Sequence, residues 1–200
     1  MRFAPTSFRP AFGRALSVVT AVIVGLGLAG FVVEGDLNII VRFSWPLVLL
    51  AVLAFAMFWF PRVDVAEHEV TVRNVFTTYH VPWPAIENVD AKYALTLYTA
   101  EGKVTAWASP APNRYAAQAG TLGDARLAAS ASGTSPRPGD LPGTQSGAIA
   151  FVIRSHWEDL RERGLLDAGV EPGSVRRDIH VGTIVIVAAL GVATVLGVLL

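Results

Sequence analysis

Long uninterrupted runs of apolar residues occur three times along the chain, and each is long enough to cross a bilayer. Ala15–Val33, Phe43–Phe60 and Val181–Leu200 hold 19, 18 and 20 residues without a charged side chain. Because a helix rises about 1.5 Å per residue, each run spans about 27–30 Å, the thickness of a hydrocarbon core. Three buried helices of a soluble domain are the alternative, but a chain of 200 residues has too little remaining mass to surround them. The pattern predicts three membrane spans.

The first two runs are separated only by residues 34–42, which favours a helical hairpin. A secretory signal is the alternative for the first run, but the run is long for one and a second span follows at once. Ser44 with Pro46 is a plausible helix start for the second span. Trp45 at one end and Trp59 and Phe60 at the other fit an aromatic belt.

Positive charge predicts the orientation of the spans. The first fourteen residues contain three arginines and no acid, and Arg176 and Arg177 precede the third span. The loop between the first two spans contains a single basic residue, Arg42. The positive-inside rule therefore predicts a multi-pass protein of the bacterial inner (plasma) membrane, with the N-terminus and residues 61–180 in the cytoplasm and the C-terminus outside.

Between the second and third spans, the pattern changes to short alternations of apolar and polar residues. Such runs, rich in Val, Thr, Tyr, Ile and Trp and separated by turn residues, are typical of an antiparallel meander. Six strands are predicted, over residues 63–66, 70–73, 78–82, 85–90, 94–99 and 103–108. Residues 110–147 are dominated by Ala, Gly, Ser, Thr and Pro and are expected to be a flexible insertion, in which residues 121–128 are a candidate for a seventh strand.

An amphipathic helix is predicted from about Ser146 to Arg163. Its apolar face recurs at helical spacing, and opposite charges stand four residues apart. Gly164 is positioned to end the helix. The apolar positions are Ile149, Ile153, Trp157 and Leu160, and the charge pairs are Arg154–Glu158 and Asp159–Arg163. The chain thus divides into residues 1–61 (tail and helical hairpin), 62–164 (domain), 165–178 (tether) and 179–200 (third span).

Composition excludes several kinds of chemistry. Apolar residues make up 52% of the chain and charged residues 16%, the formal net charge is zero and there is no cysteine. Disulfides and thiolate sites are therefore excluded, and nothing favours nucleic acid as a partner. The four histidines are not at metal-ligand spacing and are expected to be unrelated, and no ionisable residue falls inside the three runs, which argues against a transporter. We expect no enzyme activity and no cofactor.

The order of strands and helix is that of a pleckstrin-homology (PH)-like barrel or half-barrel whose open side is covered by a C-terminal helix. Three stretches resemble the actinobacterial PH-domain membrane proteins, a family whose soluble part is called the low-molecular-weight protein antigen 6 PH domain. They are "VTVRNVFTTYHVPWPAIENVDAKYALTLYTAEGKVTAWASPAPNR", "GDLPGTQSGAIAFVIRSHWEDLRERG" and "RRDIHVGTI". The resemblance implies an α+β membrane protein with a cytoplasmic PH-like domain, and it implies no established reaction.

The resemblance carries over no headgroup site. Phosphoinositide-binding PH domains place basic residues around the loop between their first two strands, whereas here that loop, 66–69, holds two glutamates and only Arg73 on the second strand is basic. We expect a non-enzymatic interaction or scaffold module that binds a protein or peptide at the membrane; a lipid or membrane-surface sensor is the alternative. The candidate surface consists of Arg62, Arg73, Tyr93, Trp107, Arg176 and Arg177. Trp83 is expected in the core, and a core position stays open for Trp107.

Small residues recur four apart in the first and third spans and predict how the membrane helices meet. We expect these two spans to pack against each other or to mediate self-association into a homo-oligomer; chance recurrence of two common residue types is the alternative. The two stripes are Ala21, Gly25 and Ala29, and Ala189, Ala193 and Gly197.

Overall fold

A computed structural model describes residues 5–9, 11–91, 94–110, 145–166 and 173–199. Most of the predicted insertion, including the candidate seventh strand, lies outside the described residues, as does Tyr93. The elements in chain order are β1 (Thr6–Phe8), α1 (Ala11–Glu34), α2 (Leu37–Phe58), β2 (Arg62–Val65), β3 (Glu69–Arg73), β4 (Thr77–Pro82), a 3₁₀ turn (Trp83–Ala85), β5 (Asn88–Asp90), β6 (Ala94–Thr99), β7 (Gly102–Pro110), α3 (Gln145–Glu162), β8 (Arg176–Ile179) and α4 (Val181–Leu199).

The three apolar runs form α1, α2 and α4, each long and apolar enough to cross a membrane. The predicted start of the second span at Ser44 was wrong, because α2 begins at Leu37. Asp36 caps it: its carboxylate accepts hydrogen bonds from the backbone N–H groups of Asn38 and Ile39, at 2.8 and 3.5 Å. Gly35, at a φ of +71°, makes the sharp turn from α1. The hydrogen bonds from the Asp36 cap therefore determine where α2 begins, and Pro46 lies inside the helix.

This longer helix also places a charge within a span. Arg42 lies in the second turn of α2, and its guanidinium donates to the backbone carbonyl of Val198, at 2.9 Å, near the C-terminal end of α4. The helices extend beyond the apolar runs, so the expectation of three spans free of ionisable residues was wrong: α1 includes Arg14 and Glu34 near its ends, and α2 includes Arg42. Arg42 is at the end of α2 farthest from the sheets. It donates a hydrogen bond to a carbonyl in the last turn of α4, where the carbonyls have no N–H donor within their own helix.

The helix α2 packs between α1 and α4. Close approach at α1 is shown by Gly13, where an added Cβ would lie 2.9 Å from the carbonyl oxygen of Phe58. At α4, a Cβ on Gly197 would lie 3.0 Å from the carbonyl oxygen of Val41. Among the described residues α1 and α4 make no comparably extensive contact, so the prediction that the first and third spans pack together within one chain was wrong. Self-association stays a prediction.

All strands are antiparallel and form two sheets. One has the order β1-β2-β3-β4-β8 and the other β5-β6-β7. The six predicted strands correspond to β2–β7, while β1 and β8 come from the N-terminal tail and the tether. The two sheets do not close into a barrel, so of the two expected forms, barrel and half-barrel, the structure has the half-barrel.

The core lies between the sheets and under α3. Val63, Val72, Leu95 and Leu97 are fully buried, and Trp83 is 2% exposed, as predicted. From α3, the predicted apolar face packs on this core: Ile149 and Ile153 are fully buried, and Trp157 and Leu160 lie against it.

The C-terminal end of α3 follows the predicted cap. Gly164 has a φ of +67°, its N–H donates to the carbonyl of Arg161, and the N–H of Leu165 donates to that of Leu160. The Asp159–Arg163 pair is present at 2.7 Å. The guanidinium of Arg154, which was expected to pair with Glu158, donates to the backbone carbonyl of Val89 on β5, at 2.8 Å.

Candidate functional site

All three connections to the membrane helices leave the five-stranded sheet at the same end. β1 leads into α1, α2 leads into β2, and β8 leads into α4. The turn between β3 and β4 lies at this end too, because the N–H of His180 donates to the carbonyl of Phe76, at 2.8 Å. The strands therefore extend away from the three helices that could cross a membrane, and we call the end of the sheet next to these helices the membrane end.

The imidazole of His180 fastens the start of α4 to the sheet. Its Nδ1 lies 3.1 Å from the carbonyl of Val75 and its Nε2 2.8 Å from the hydroxyl of Thr78. Since a carbonyl only accepts, Nδ1 carries the proton and Nε2 accepts from Thr78. The start of α4 is thus attached to the half-barrel in two ways, by the backbone connection from β8 and by the side-chain hydrogen bonds of His180.

Two arginines stand side by side at the membrane end. Arg62 and Arg73 are direct partners in the pairing of β2 with β3, and both point to the face opposite the buried valines. Like charges in this position repel. Arg62 is neutralised by Asp64, whose carboxylate lies 2.7 Å from its Nε.

Arg73 has no such partner. Among the described residues it forms no ion pair, and its Nε is buried without a hydrogen-bond acceptor. The guanidinium lies over the ring of Phe60, 5.4 Å from the centroid. A cation held in this way is free to bind an anion that approaches from the membrane surface.

Two exposed aromatic side chains lie at the same end of the domain as these arginines. Phe76, in the β3–β4 turn, is 37% exposed and Trp107, on β7, is 56% exposed. Trp107 lies at this end because its N–H donates to the side chain of Asn74, which precedes that turn. Aromatic residues are favoured at the membrane–water boundary. We call Arg62, Arg73, Phe76 and Trp107 the membrane-proximal rim.

Residues 60–144 match the model of a family described as a bacterial PH domain. The match covers β2 to β7 and supports a PH-like domain built on antiparallel sheets. No curated protein and no solved structure matches the chain significantly.

The loop that binds headgroups in phosphoinositide-binding PH domains lies, in this chain, at the end of the sheet away from the three apolar helices. The loop between β2 and β3 lies opposite the membrane-proximal rim, and Glu67 and His68 in it are exposed. Trp83 holds this loop by donating from its indole nitrogen to the carbonyl of Ala66, at 3.0 Å. The loop contains two glutamates and lies at the end of the sheet away from the three apolar helices.

The predicted surface residues divide between two places. Arg62, Arg73 and Trp107 come together at the membrane-proximal rim. Arg176 and Arg177 lie on the edge strand β8, where Arg177 stands over the ring of Tyr79 and Arg176 pairs with Asp178, at 3.2 Å. Phe76 was missed, although an aromatic residue in a turn that follows Arg73 and Asn74 is a usable sequence signal.

Histidine 80 joins two carboxylates on the outer face of the sheet. Its Nδ1 lies 2.7 Å from Glu69, and its Nε2 lies 3.5 Å from Asp178. Partial burial raises the pKa of Glu69, but the hydrogen bonds from His80 and Thr71 and the nearby positive charge outweigh it, so the net pKa is below its usual value. These contacts of His80 are to carboxylates and not to another histidine, and β8 supplies one of them, Asp178, from a distant part of the sequence.

This cluster does not have the geometry of a nucleophile–base–acid triad. The Thr71 hydroxyl and the Glu69 carboxylate both approach Nδ1 of His80, at 3.4 and 2.7 Å. A triad needs the hydroxyl and the carboxylate on opposite ring nitrogens. The two carboxylates also lie on opposite sides of the ring, and among the described residues no group of three His, Asp or Glu side chains is placed to hold a metal. The arrangement ties β8 to β3 and β4.

Proposed function

We propose that the chain is a non-enzymatic interaction module that responds to anionic lipid at the cytoplasmic face of its membrane. The observation that carries the proposal is Arg73, which forms no ion pair among the described residues and lies at the same end of the PH-like domain as the exposed rings of Phe76 and Trp107. PH domains are in general binding modules, which agrees with a non-catalytic role. The resemblance to actinobacterial PH-domain membrane proteins points to the same setting.

The energetics favour contact with an anionic surface. A basic side chain close to such a surface contributes about 1 kcal/mol. The domain is already tethered at three points, so binding costs little translational entropy. Small differences in lipid composition therefore suffice to change how firmly the membrane-proximal rim sits on the bilayer.

A single fluorescent label tests the proposal in the full-length chain, which lacks cysteine. Phe76→Cys would carry an environment-sensitive dye, and His68→Cys, at the far end of the domain, is the matched control. In nanodiscs, we expect the emission of the dye at position 76 to shift to the blue when phosphatidylglycerol replaces part of the phosphatidylcholine. The dye at position 68 should not respond.

Arg73→Gln in the Phe76→Cys background should remove most of that shift, while Arg62→Gln, which removes an already paired charge, should remove little. Emission at position 76 that does not depend on lipid charge would contradict the proposal.

A protein or peptide partner is the second candidate, and strand β8 favours it. All four residues of β8 are exposed, and it is the terminal strand of its sheet. An extended acidic segment could add to this edge, with Arg176 and Arg177 as its counter-charges. A photo-crosslinker at Ile179 in native membranes should then yield one discrete adduct, which Arg176→Glu with Arg177→Glu should abolish; an adduct that survives the charge reversal would contradict this binding mode.

A further inference from the structure

An apolar groove runs along the membrane helices and ends beneath the PH-like domain. It is lined by Ala21 of α1, Ala51 and Phe55 of α2, Ile186 of α4, and Phe60 just beyond α2, and its volume is about 430 Å³. The small side chains of Ala21 and Ala51 leave the space open, and α2 forms its floor because it packs between α1 and α4. From this groove and the cation at its end we infer that one phospholipid with an anionic headgroup binds here, its acyl chain in the groove and its phosphate at Arg73.

The groove and the cation are joined by one side chain. The ring of Phe60 lines the groove and also lies under the guanidinium of Arg73, 5.4 Å from its centroid. The ring of Phe60 in turn meets that of Phe55 edge-on, at 5.2 Å, which continues the apolar wall into the membrane. A molecule that is apolar along its length and anionic at one end therefore matches both parts of the site.

The first turn of α4 adds a second favourable contact at the headgroup end. Thr183 lines the groove there. The first intrahelical bond of α4 runs from the N–H of Ile184 to the carbonyl of His180, so the N–H groups before Ile184 have no acceptor within the helix. Those N–H groups and the helix dipole favour a negative charge at this position.

Charge decides which lipid binds. Acyl chains are as apolar as the groove, so burial of a chain alone distinguishes no lipid from another. The headgroup supplies the preference, because Arg73 has no other counter-ion among the described residues. A basic site between membrane helices at the cytoplasmic side is a setting that suits anionic headgroups.

This inference rests on the proposed function for the role of Arg73, but it places the lipid inside the helix bundle rather than in the general bilayer surface. The full-length protein, in a mild detergent, would be titrated with palmitoyl-oleoyl phosphatidylglycerol and, in parallel, with the matching phosphatidylcholine, and bound lipid counted by native mass spectrometry. We expect one phosphatidylglycerol to be retained and phosphatidylcholine to bind about tenfold more weakly.

Two variants separate the groove from the cation. Ala51→Phe should fill the groove and lower phosphatidylglycerol retention about tenfold, and Arg73→Gln should remove the preference for phosphatidylglycerol. Ala189→Phe, on an exposed face of α4, and Arg161→Gln, a stacked arginine on α3 outside the rim, are the matched controls and should retain the lipid. Should Ala51→Phe fail to fold, Ala21→Leu narrows the groove from the α1 side.

The outcomes separate the two proposals. Retention that is unchanged in both Ala51→Phe and Ala21→Leu, or equal for the two lipids, overturns the groove site even where the dye at position 76 responds to lipid charge. Groove-dependent retention without any dye response supports the groove site and contradicts surface sensing.

Discussion

The side chain of Asn74 occupies the position of a missing strand partner for Trp107. Its Oδ1 accepts from the backbone N–H of Trp107, at 2.9 Å, and its Nδ2 donates to the carbonyl of Thr105, at 2.8 Å. A side-chain amide offers the same donor and acceptor as a peptide unit. Asn74, which directly follows β3, thus links the two sheets at a place where no strand-to-strand ladder closes the barrel.

Asn74→Ala should destabilise the domain strongly. Asn74 is 7% exposed, and the substitution leaves two backbone groups of β7 without partners near the core. We expect the free energy of unfolding to fall by about 2–4 kcal/mol. Thermal unfolding in detergent, followed by tryptophan fluorescence, measures the change, with exposed Asn88→Ala as the control. Equal melting temperatures for the two variants would show that the link is unimportant.

Trp157→Ala should also lower stability, whereas Trp107→Ala should not. Trp157 packs against the core from α3, and its indole N–H donates to the carbonyl of Ile86, at 3.0 Å. Loss of the ring should cost about 3 kcal/mol. Trp107 is 56% exposed, so its removal leaves the core intact. A Trp157→Ala variant that keeps the melting temperature of the wild type would contradict the packing of α3.

Gly197→Leu should disturb the contact between α2 and α4. A Cβ at Gly197 already meets the carbonyl oxygen of Val41, at 3.0 Å, and the ring of Trp45, at 3.1 Å. We expect a loss of about 1–3 kcal/mol, measured as a lower melting temperature in detergent. Gly191→Leu on the same helix meets no atom within 4 Å and serves as the control. Greater damage from Gly191→Leu would mean that α4 packs by another face.

Acidification should destabilise the PH-like domain in two steps. Burial, beside Trp83, lowers the pKa of His156 below its usual value of 6.5, despite the opposing effect of Asp159. The unfolded chain therefore takes up this proton first, and stability falls as the pH drops below 6.5. The pKa of Glu69 is also lowered, so its contribution is present above the usual value of 4.5 and is lost as the pH falls through the folded-state pKa.

Melting temperatures between about pH 7.5 and about pH 2.5 measure both steps, because the Glu69 step lies below pH 4.5. His156→Phe should flatten the upper part of the profile and Glu69→Gln the lower part. A wild-type profile that stays level down to pH 5 would contradict the upper step.

The proposed topology predicts the position of two reporters. Fused after Leu200, a reporter should behave as extracytoplasmic, and inserted within residues 128–139 it should behave as cytoplasmic. The shared membrane-facing end of β1, β2 and β8 requires the N-terminus and the domain to lie on one side. The reverse pair of signals would overturn the orientation but not this shared side.

Local patterns in the sequence determined the elements of this protein. The three apolar runs, the alternation in β2–β7 and the apolar face of α3 are each signals within a short window, and the structure has all of them. Gly164 ends α3 as predicted. Its left-handed backbone conformation favours glycine because glycine has no Cβ, and this preference is a local property of the chain.

Only the tertiary structure decided which distant residues meet. The short strands β1 and β8 have little pattern of their own and form by pairing with β2 and β4. That pairing brings Asp178 to His80, and the turn after Arg73 brings His180 to Val75. The membrane helices follow the same rule: small residues occur in two spans, but the short turn at Gly35 and the packing of Gly197 on α2 put the second span between them. Such contacts depend on how the surfaces of already formed helices and strands pack together. No short stretch of sequence specifies this packing, because it results from all the interactions of the chain together.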